Sequence, residues 1–335
     1  MKLRQPLLDW DTAIKKFDSV LIDHPRFKFA RDQLDRFYKL ALTSTEPVCT
    51  ALVGESGCGK SRLLEEFQKP HQERRTPNGI VTPIIRVSMP RNPTPRAVLT
   101  EILNELGDGH YERGDEVDKA LRIKRLALAA STRVIIVEEF QHVAEHKTLQ
   151  LSFQTSDTLK RLVDEARVSL LVSGLPSCLI TIKCNEQLKR RFDAPIELGR
   201  FSWEDAEDRK EFKEVLVSWQ QALSHLEFPS LDSDEMAFRF FCACGGIFGY
   251  IVKLLRQVVV NAVSTNTGSV TLELLAQSLE EVVSIDAYPL GNPFDDGFTC
   301  IDTEQKLAAA LDLGLRKEQE LASPKGRGRA TKSRS

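Results

Sequence analysis

Val48-Cys49-Thr50-Ala51-Leu52-Val53-Gly54-Glu55-Ser56-Gly57-Cys58-Gly59-Lys60-Ser61 is the stretch that decides the fold. Val48 to Val53 is a short apolar run ending at a glycine, which reads as a buried strand. Gly54 to Ser61 follows the spacing GxxxxGK[ST] without deviation, and Lys60 to Phe67 reads as a helix that ends before Pro70. Strand, glycine-rich turn and helix, in that order, form the context of a phosphate-binding loop. The glycines let backbone N–H groups converge on an anion, and the helix N-terminus adds its dipole. In such a loop Lys60 bridges the β- and γ-phosphates and the Ser61 hydroxyl ligates Mg²⁺. Gly54, Glu55, Ser56, Gly57, Cys58, Gly59 and Arg62 complete the expected nucleotide-binding set.

Working outward, Val134-Ile135-Ile136-Val137-Glu138-Glu139 places two acids after four apolar residues. Ligands of open α/β sheets bind at the carboxyl ends of strands, so this is the expected second half of the site. The first acid of such a pair organises Mg²⁺, and the second orients water against the γ-phosphate. Glu138 stands where aspartate is usual and reaches one methylene further. Between these motifs, Val81 to Val87 reads as a strand interrupted early by Pro83. Pro95–Leu106 and Glu116–Ala130 read as helices. Beyond them come a helix from about Ser156 to Ala166, strands at Val168–Val172 and Pro195–Leu198, and a short helix at Asn185–Phe192. Strands alternating with helices up to about residue 200 predict a parallel sheet covered on both faces. After Trp203 only helical periodicities remain, at Glu204–Leu226, Ser233–Cys244, Ile247–Val263 and Thr271–Val283. The expected organisation is therefore an N-terminal helical extension (1–45), a nucleotide-binding core (46–200), a helical domain (201–288) and a C-terminal segment (289–335). Within the extension, Asp9 or Asp11 caps a first helix running to Phe17, and Pro25 starts a second.

Composition bounds the function. The 335 residues are 41% hydrophobic and 28% charged, with net charge −2. That excludes a disordered chain or a disulfide scaffold, and no global basic excess announces nucleic acid. The charge is uneven, however. The stretch from Ala322 to the end carries Lys325, Arg327, Arg329, Lys332 and Arg334 and no acid, so its +5 leaves −7 on the remainder. Rich in Gly and Ser, this tail is expected to be disordered and to serve either as a solvated terminus or as a tether. Seven cysteines without a secretory signal are expected to be reduced, and Cys242-Ala-Cys244 has no second pair to complete a zinc site. Ile247–Val263 contains Lys253, Arg256, Gln257 and Asn261, which argues against a membrane span and for a cytoplasmic protein.

Taken together, these residues resemble an AAA+ ATPase of the TniB/TnsC family, the regulators of Tn7-like transposons. Gly54–Ser61, Glu138-Glu139-Phe140-Gln141-His142 and Val172-Ser173-Gly174-Leu175-Pro176 carry the resemblance. So do Asn185-Glu186-Gln187-Leu188-Lys189-Arg190-Arg191-Phe192 and Pro90-Arg91-Asn92-Pro93-Thr94. It implies a P-loop AAA+ core with a parallel sheet flanked by helices, followed by a small all-α lid. It also implies that Ser173 senses the γ-phosphate, and that Arg190 or Arg191 is an arginine finger entering the neighbouring subunit's site. Cys244-Gly245-Gly246-Ile247 matches the start of the lid helix, where Gly249 and Tyr250 stand near the position of the usual sensor arginine.

The resemblance further implies ATP and Mg²⁺ as cofactors, slow regulatory hydrolysis to ADP and phosphate, and a ring or helical homo-oligomer on double-stranded DNA. Its partners would be a transposase and a TniQ-type target-selection protein, with or without a guide-RNA complex. The region after the second sheet strand faces the pore in related ATPases, so Arg91, Arg96, Tyr111 and Arg113, with Lys119 and Arg122 beyond, are the candidate DNA contacts. Asn292-Pro293-Phe294-Asp295-Asp296 reads either as a partner-docking segment or as packing for Phe294 on the lid. Two other functions fit parts of the pattern: a loader or initiator ATPase of replication or repair, and a small-molecule P-loop kinase.

Overall fold

The computed structural model describes residues 9–77, 79–144, 149–184, 186–282, 291–301 and 303–312. The chain opens with α1 (Trp10–Ser19) and α2 (Pro25–Thr43), then β1 (Cys49–Val53) and α3 (Lys60–Gln68). A hairpin of β2 (Arg74–Thr76) and β3 (Gly79–Val81) precedes β4 (Ile84–Ser88), α4 (Pro95–Glu105) and α5 (Glu116–Ala129). Next come β5 (Val134–Glu138), α6 (Gln141–Ala144), α7 (Leu149–Ala166) and β6 (Ser169–Gly174). The elements α8 (Cys178–Cys184), α9 (Glu186–Lys189) and β7 (Ile196–Glu197) complete the α/β part. Four longer helices follow: α10 (Ala206–Ala222), α11 (Asp234–Cys244), α12 (Phe248–Ser264) and α13 (Leu272–Val282).

The main sheet has the order β4-β5-β6-β1-β7, and every pairing in it is parallel. Side chains alternate across its two covered faces. Ala51, Val53, Ile135, Val137, Leu170 and Val172 join α4, α5 and α7 on one side. Leu52, Val134, Ile136 and Leu171 join α2 and α3 on the other. This is the parallel sheet flanked by helices, with a helical region after it, that the strand–helix alternation predicts.

Three details differ from the expected element bounds. The sheet strand at the second position begins at Ile84 rather than Val81, because Pro83 has no N–H for the ladder. The Pro83 carbonyl instead accepts from Arg133 N and Val134 N. The residues before it form the separate antiparallel β2–β3 hairpin. Finally, α8 precedes the short helix expected near 185–192.

The four late helices build a core of their own. Here α1 joins them: Ala13 and Phe17 are buried in that cluster, and the Phe17 ring stacks on Trp219 at 5.0 Å. By contrast α2 packs against α3 and the sheet. Phe294 is also buried there, edge-on to Phe240 at 5.2 Å, while Arg239 donates to the carbonyls of Pro293 and Asp295. The segment around Phe294 thus packs that ring on the lid, while Asp295 and Asp296 are exposed. The basic tail after Ala322 lies outside the described residues. Among the described residues no single helix is long and apolar enough to cross a membrane.

A half-buried ionic cluster joins the two parts. Glu211 Oε1 accepts from Arg26 N and pairs with His24 Nδ1, both at 2.9 Å, and Glu211 Oε2 accepts from Arg26 Nε at 3.1 Å. The Arg26 guanidinium also pairs with Asp208, donates to the Arg200 carbonyl at 2.9 Å and lies 4.3 Å from the Phe201 ring centre. These hydrogen bonds outweigh desolvation and hold the Glu211 carboxyl down at about 2.

Candidate functional site

The phosphate loop leaves β1 beside the end of β6, where Gly54 N donates to Gly174 O at 3.2 Å. A side chain at Gly54 would bring Cβ to 2.0 Å from the Leu198 carbonyl, so only glycine fits between the loop and the end of β7. Gly59 caps α3 from the left-handed region at φ +96°. The first N–H groups of α3 have no intrahelical acceptor and open on the loop's concave side. Lys60 Nζ donates to the carbonyls of Gly54 and Glu55 at 2.7 and 2.8 Å, so the ammonium is folded over the loop. Ser56 and Gly57 are exposed at the loop's crest. Cys58 is buried beneath it, its thiol pushed up to about 11 by desolvation. Arg62 runs along the helix surface, within 3.6 Å of Glu65 and 3.2 Å of Glu66.

Sheet register brings the acids to the same end. β6 lies between β1 and β5, with Ser173 opposite Leu52. The Ser61 hydroxyl stands 3.5 Å from Glu138 Oε2. These two groups supply adjacent hard oxygen donors at the loop mouth, the chemistry suited to Mg²⁺. The donor set therefore fits a nucleotide-bound Mg²⁺ held by Ser61 and Glu138. Arg86 of β4 grips the same carboxylate in a two-pronged ion pair, with Nη2 to Oε2 at 2.8 Å. Such a fork fixes where the longer glutamate side chain ends.

Glu139 adopts φ +54°, a conformation that costs a non-glycine residue about 1 kcal/mol or more. The neighbouring backbone enforces it: Phe140 N donates to Ser173 O at 3.0 Å, and the Phe140 side chain is fully buried. Gln141 Nε2 donates to Glu139 Oε2 at 2.5 Å, while Gln141 Oε1 accepts from Leu175 N at 3.2 Å. Ser173 is buried at the end of β6.

Arg190 and Arg191 lie elsewhere. Phe192 bridges to Cys49, at the start of β1. Along the strand that is about 16 Å from the loop's first residue. Arg191 is held by Asp164 at 2.9 Å and Glu46 at 3.3 Å, whereas Arg190 is exposed. Neither is brought to the phosphate loop of its own chain.

The lid reaches the loop with backbone. Gly249 N donates to Gly57 O at 2.7 Å, and Ile247 lies fully buried against the Cys58 side. The cations of α12 turn away, Lys253 to the Val282 carbonyl and Arg256 to Asp18. Arg200 ties these parts together, pairing with Glu55 and donating to the carbonyls of Gly245 at 3.3 Å and Leu311 at 2.8 Å.

A family model described as bacterial TniB protein matches residues 16–203. The chain belongs to the TniB family. No curated protein matches at a significant level. Among solved structures, the fold is similar to the ADP form of ORC2 from Aeropyrum pernix. That match has a TM-score of 0.57 and 12% identity over 82% of this chain and 75% of that one. The ORC1 protein of the same organism, solved in complex with DNA, matches with a TM-score of 0.55 and 16% identity over 79% and 67%. A Walker-type ATPase of Pyrococcus abyssi matches with a TM-score of 0.52 and 16% identity over 90% and 93%. The TniB chain thus has the AAA+ fold.

The candidate DNA contacts of this TniB chain surround the 107–115 loop after α4. Arg96 Nη2 reaches the Glu112 carbonyl at 3.4 Å, beside Arg113, and Arg91 is exposed just ahead of α4. Tyr111 is partly buried against the neighbouring core. One expected contact is corrected: Lys119 is fully buried and donates to the Tyr111 carbonyl. Arg122, partly exposed, donates to the carbonyls of His110 at 3.2 Å and Arg113 at 2.8 Å and pairs with Asp108. Both cations hold the loop's shape.

Sequence reasoning missed Arg86, Gln141 and Arg200. Arg86 had a signal, a lone cation inside the apolar run Ile84-Ile85-Arg86-Val87. Gln141 sits in a quoted motif without a role, and nothing in the sequence pairs Arg200 with Glu55.

Proposed function

We propose that this TniB protein is an ATP-switched, DNA-binding ATPase that assembles head to tail on duplex DNA in the bacterial cytoplasm and links target selection to a transposase. The observation that carries the reading is the separation along β1. The phosphate loop with Glu138, Glu139 and Ser173 lies at one end, and the exposed Arg190 lies at the other. An arginine there serves a nucleotide only in a neighbouring molecule, so a complete site needs two subunits.

In that site Lys60 and the α3 N-terminus bind the phosphates, and Glu139 holds the attacking water. Arg190 from the neighbour offsets charge on the transferred phosphoryl group. Mg²⁺, which Ser61 and Glu138 would hold, would supply neutralisation of the phosphate charge. Repetition of the Arg91, Arg96 and Arg113 region around a duplex would add many weak phosphate contacts without base readout. A TniQ-type selector, alone or with a guide-RNA complex, and the transposase would then read the assembled oligomer.

The test is anisotropy binding to two unrelated duplexes across a salt series, with and without ATP, alongside Lys60→Ala. The reading expects binding that needs ATP, ignores sequence, falls steeply with salt and disappears with Lys60. Equal affinity without nucleotide, or strong preference for one duplex, would overturn it.

A further inference from the structure

Gln141 is an amide placed where only one orientation works. It is buried at the N-terminus of α6, two residues beyond Glu139. The Leu175 N–H points at it and needs an acceptor, which fixes the amide oxygen on that side. The NH₂ group must therefore face the Glu139 carboxylate. The fit is exclusive: a Cβ on Gly174 would come to 2.3 Å from the Gln141 oxygen and 2.4 Å from Cys178 Sγ. The backbone bond from Phe140 to Ser173 closes the same ring of contacts. The turn that Gln141 grips leads directly into α8 and α9, the segment that ends at Arg190.

We propose that Gln141 is a positioning residue for water activation: its amide donates to the Glu139 carboxylate, fixes its aim, and anchors that aim to the turn after β6. This rests on the ATPase reading above. A donor that is itself fixed by a second hydrogen bond gives the carboxylate it touches a set direction. The carboxylate is the acceptor of the water proton and Gln141 touches neither water nor phosphate, so its loss should act on turnover rather than on binding.

Gln141→Glu is the discriminating variant. It keeps the shape and an acceptor for Leu175 N, but turns a second carboxylate on Glu139. Two facing carboxylates repel, so Glu139 loses its aim while the turn after β6 keeps its anchor. In steady-state ATP hydrolysis with duplex DNA, Gln141→Glu and Gln141→Leu should each lower kcat about 10- to 100-fold with KM within about twofold. A Gln141→Glu kcat within about twofold of wild type, or a KM that rises as kcat falls, overturns the inference while leaving the ATPase reading intact.

A second readout needs no turnover. In ¹⁵N-glutamine-labelled protein at fixed pH, the Gln141 side-chain resonance, assigned by its loss in Gln141→Leu, should move when its acceptor is removed in Glu139→Ala. A resonance that Glu139→Ala leaves in place overturns the inference. A wild type without hydrolysis fails the ATPase reading instead, and the resonance still decides whether the amide holds Glu139.

Discussion

Glu211→Gln tests the cluster that fastens the lid to the core. The carboxylate accepts from Arg26 N, Arg26 Nε and His24 Nδ1, with its side chain 13% exposed. Its folded value of about 2 lies below the ordinary 4.5. At about 1.36 kcal/mol per unit, that difference favours the folded state by about 3 kcal/mol at neutral pH. Partial exposure reduces the usable figure to about 2 kcal/mol. Because the folded value is the lower one, this stability is complete above pH 4.5. It is lost as pH falls toward 2, and about half is gone by pH 3. Glutamine keeps one acceptor but cannot carry the charge that Arg26 faces. Differential scanning fluorimetry from pH 7 to pH 3 should show the variant melting about 3 °C lower at pH 7, and that gap should close with acid. Other carboxylates titrate in both proteins and cancel in the comparison. A gap that stays constant to pH 3, or one below about 1 °C throughout, would refute the assignment of Glu211 as the fastening charge.

Three further outcomes follow from the site. Gly249→Ala places Cβ 2.7 Å from the Gly57 carbonyl, a backbone clash that must push α12 off the phosphate loop. It should destabilise by about 1–3 kcal/mol and weaken fluorescent-nucleotide affinity in a titration, and unchanged affinity would count against lid contact. Arg190→Ala should lose ATP-dependent oligomer and hydrolysis together with little change in melting. Arg191→Ala should chiefly lower the melting temperature, since it breaks the Asp164 pair, and the reverse pattern in light scattering and fluorimetry would exchange their roles. Arg122→Ala should loosen the 107–115 loop in hydrogen exchange, whereas Arg96→Glu should weaken DNA of every sequence by a similar factor with ATP affinity intact.

The sheet and the phosphate loop were legible because their signals are local. Uninterrupted apolar runs at Cys49–Val53 and Val134–Val137 have no solvated alternative, and the glycine spacing between strand and helix admits one geometry. Pro83 was visible as an interruption, but its consequence was not, since displacing the strand start to Ile84 depends on Arg133 and Val134 meeting its carbonyl. Long cations were the hardest to place. Lys119 and Arg122 look like a solvated face by spacing, yet their stems fold back to cap the carbonyls of a loop that precedes them. Arg86 and Arg200 find acids 52 and 145 positions away, a distance over which periodicity carries no information. Nor does spacing show that Arg191 meets Asp164 and Glu46.

The docking of α1 on the helical lid has a consequence for how the chain is made. Trp219, on which Phe17 stacks, is translated some two hundred residues after it, and Arg256, the partner of Asp18, later still. Domains tend to fold as they emerge, so the sheet can close while α1 remains an amphipathic segment with its apolar face in water. Contacts this far apart in the chain form late and slowly. During that interval Phe17 and Ala13 are free to meet the wrong partner, including the same face of another nascent chain. Yield on expression should therefore depend on conditions that protect the apolar face of α1.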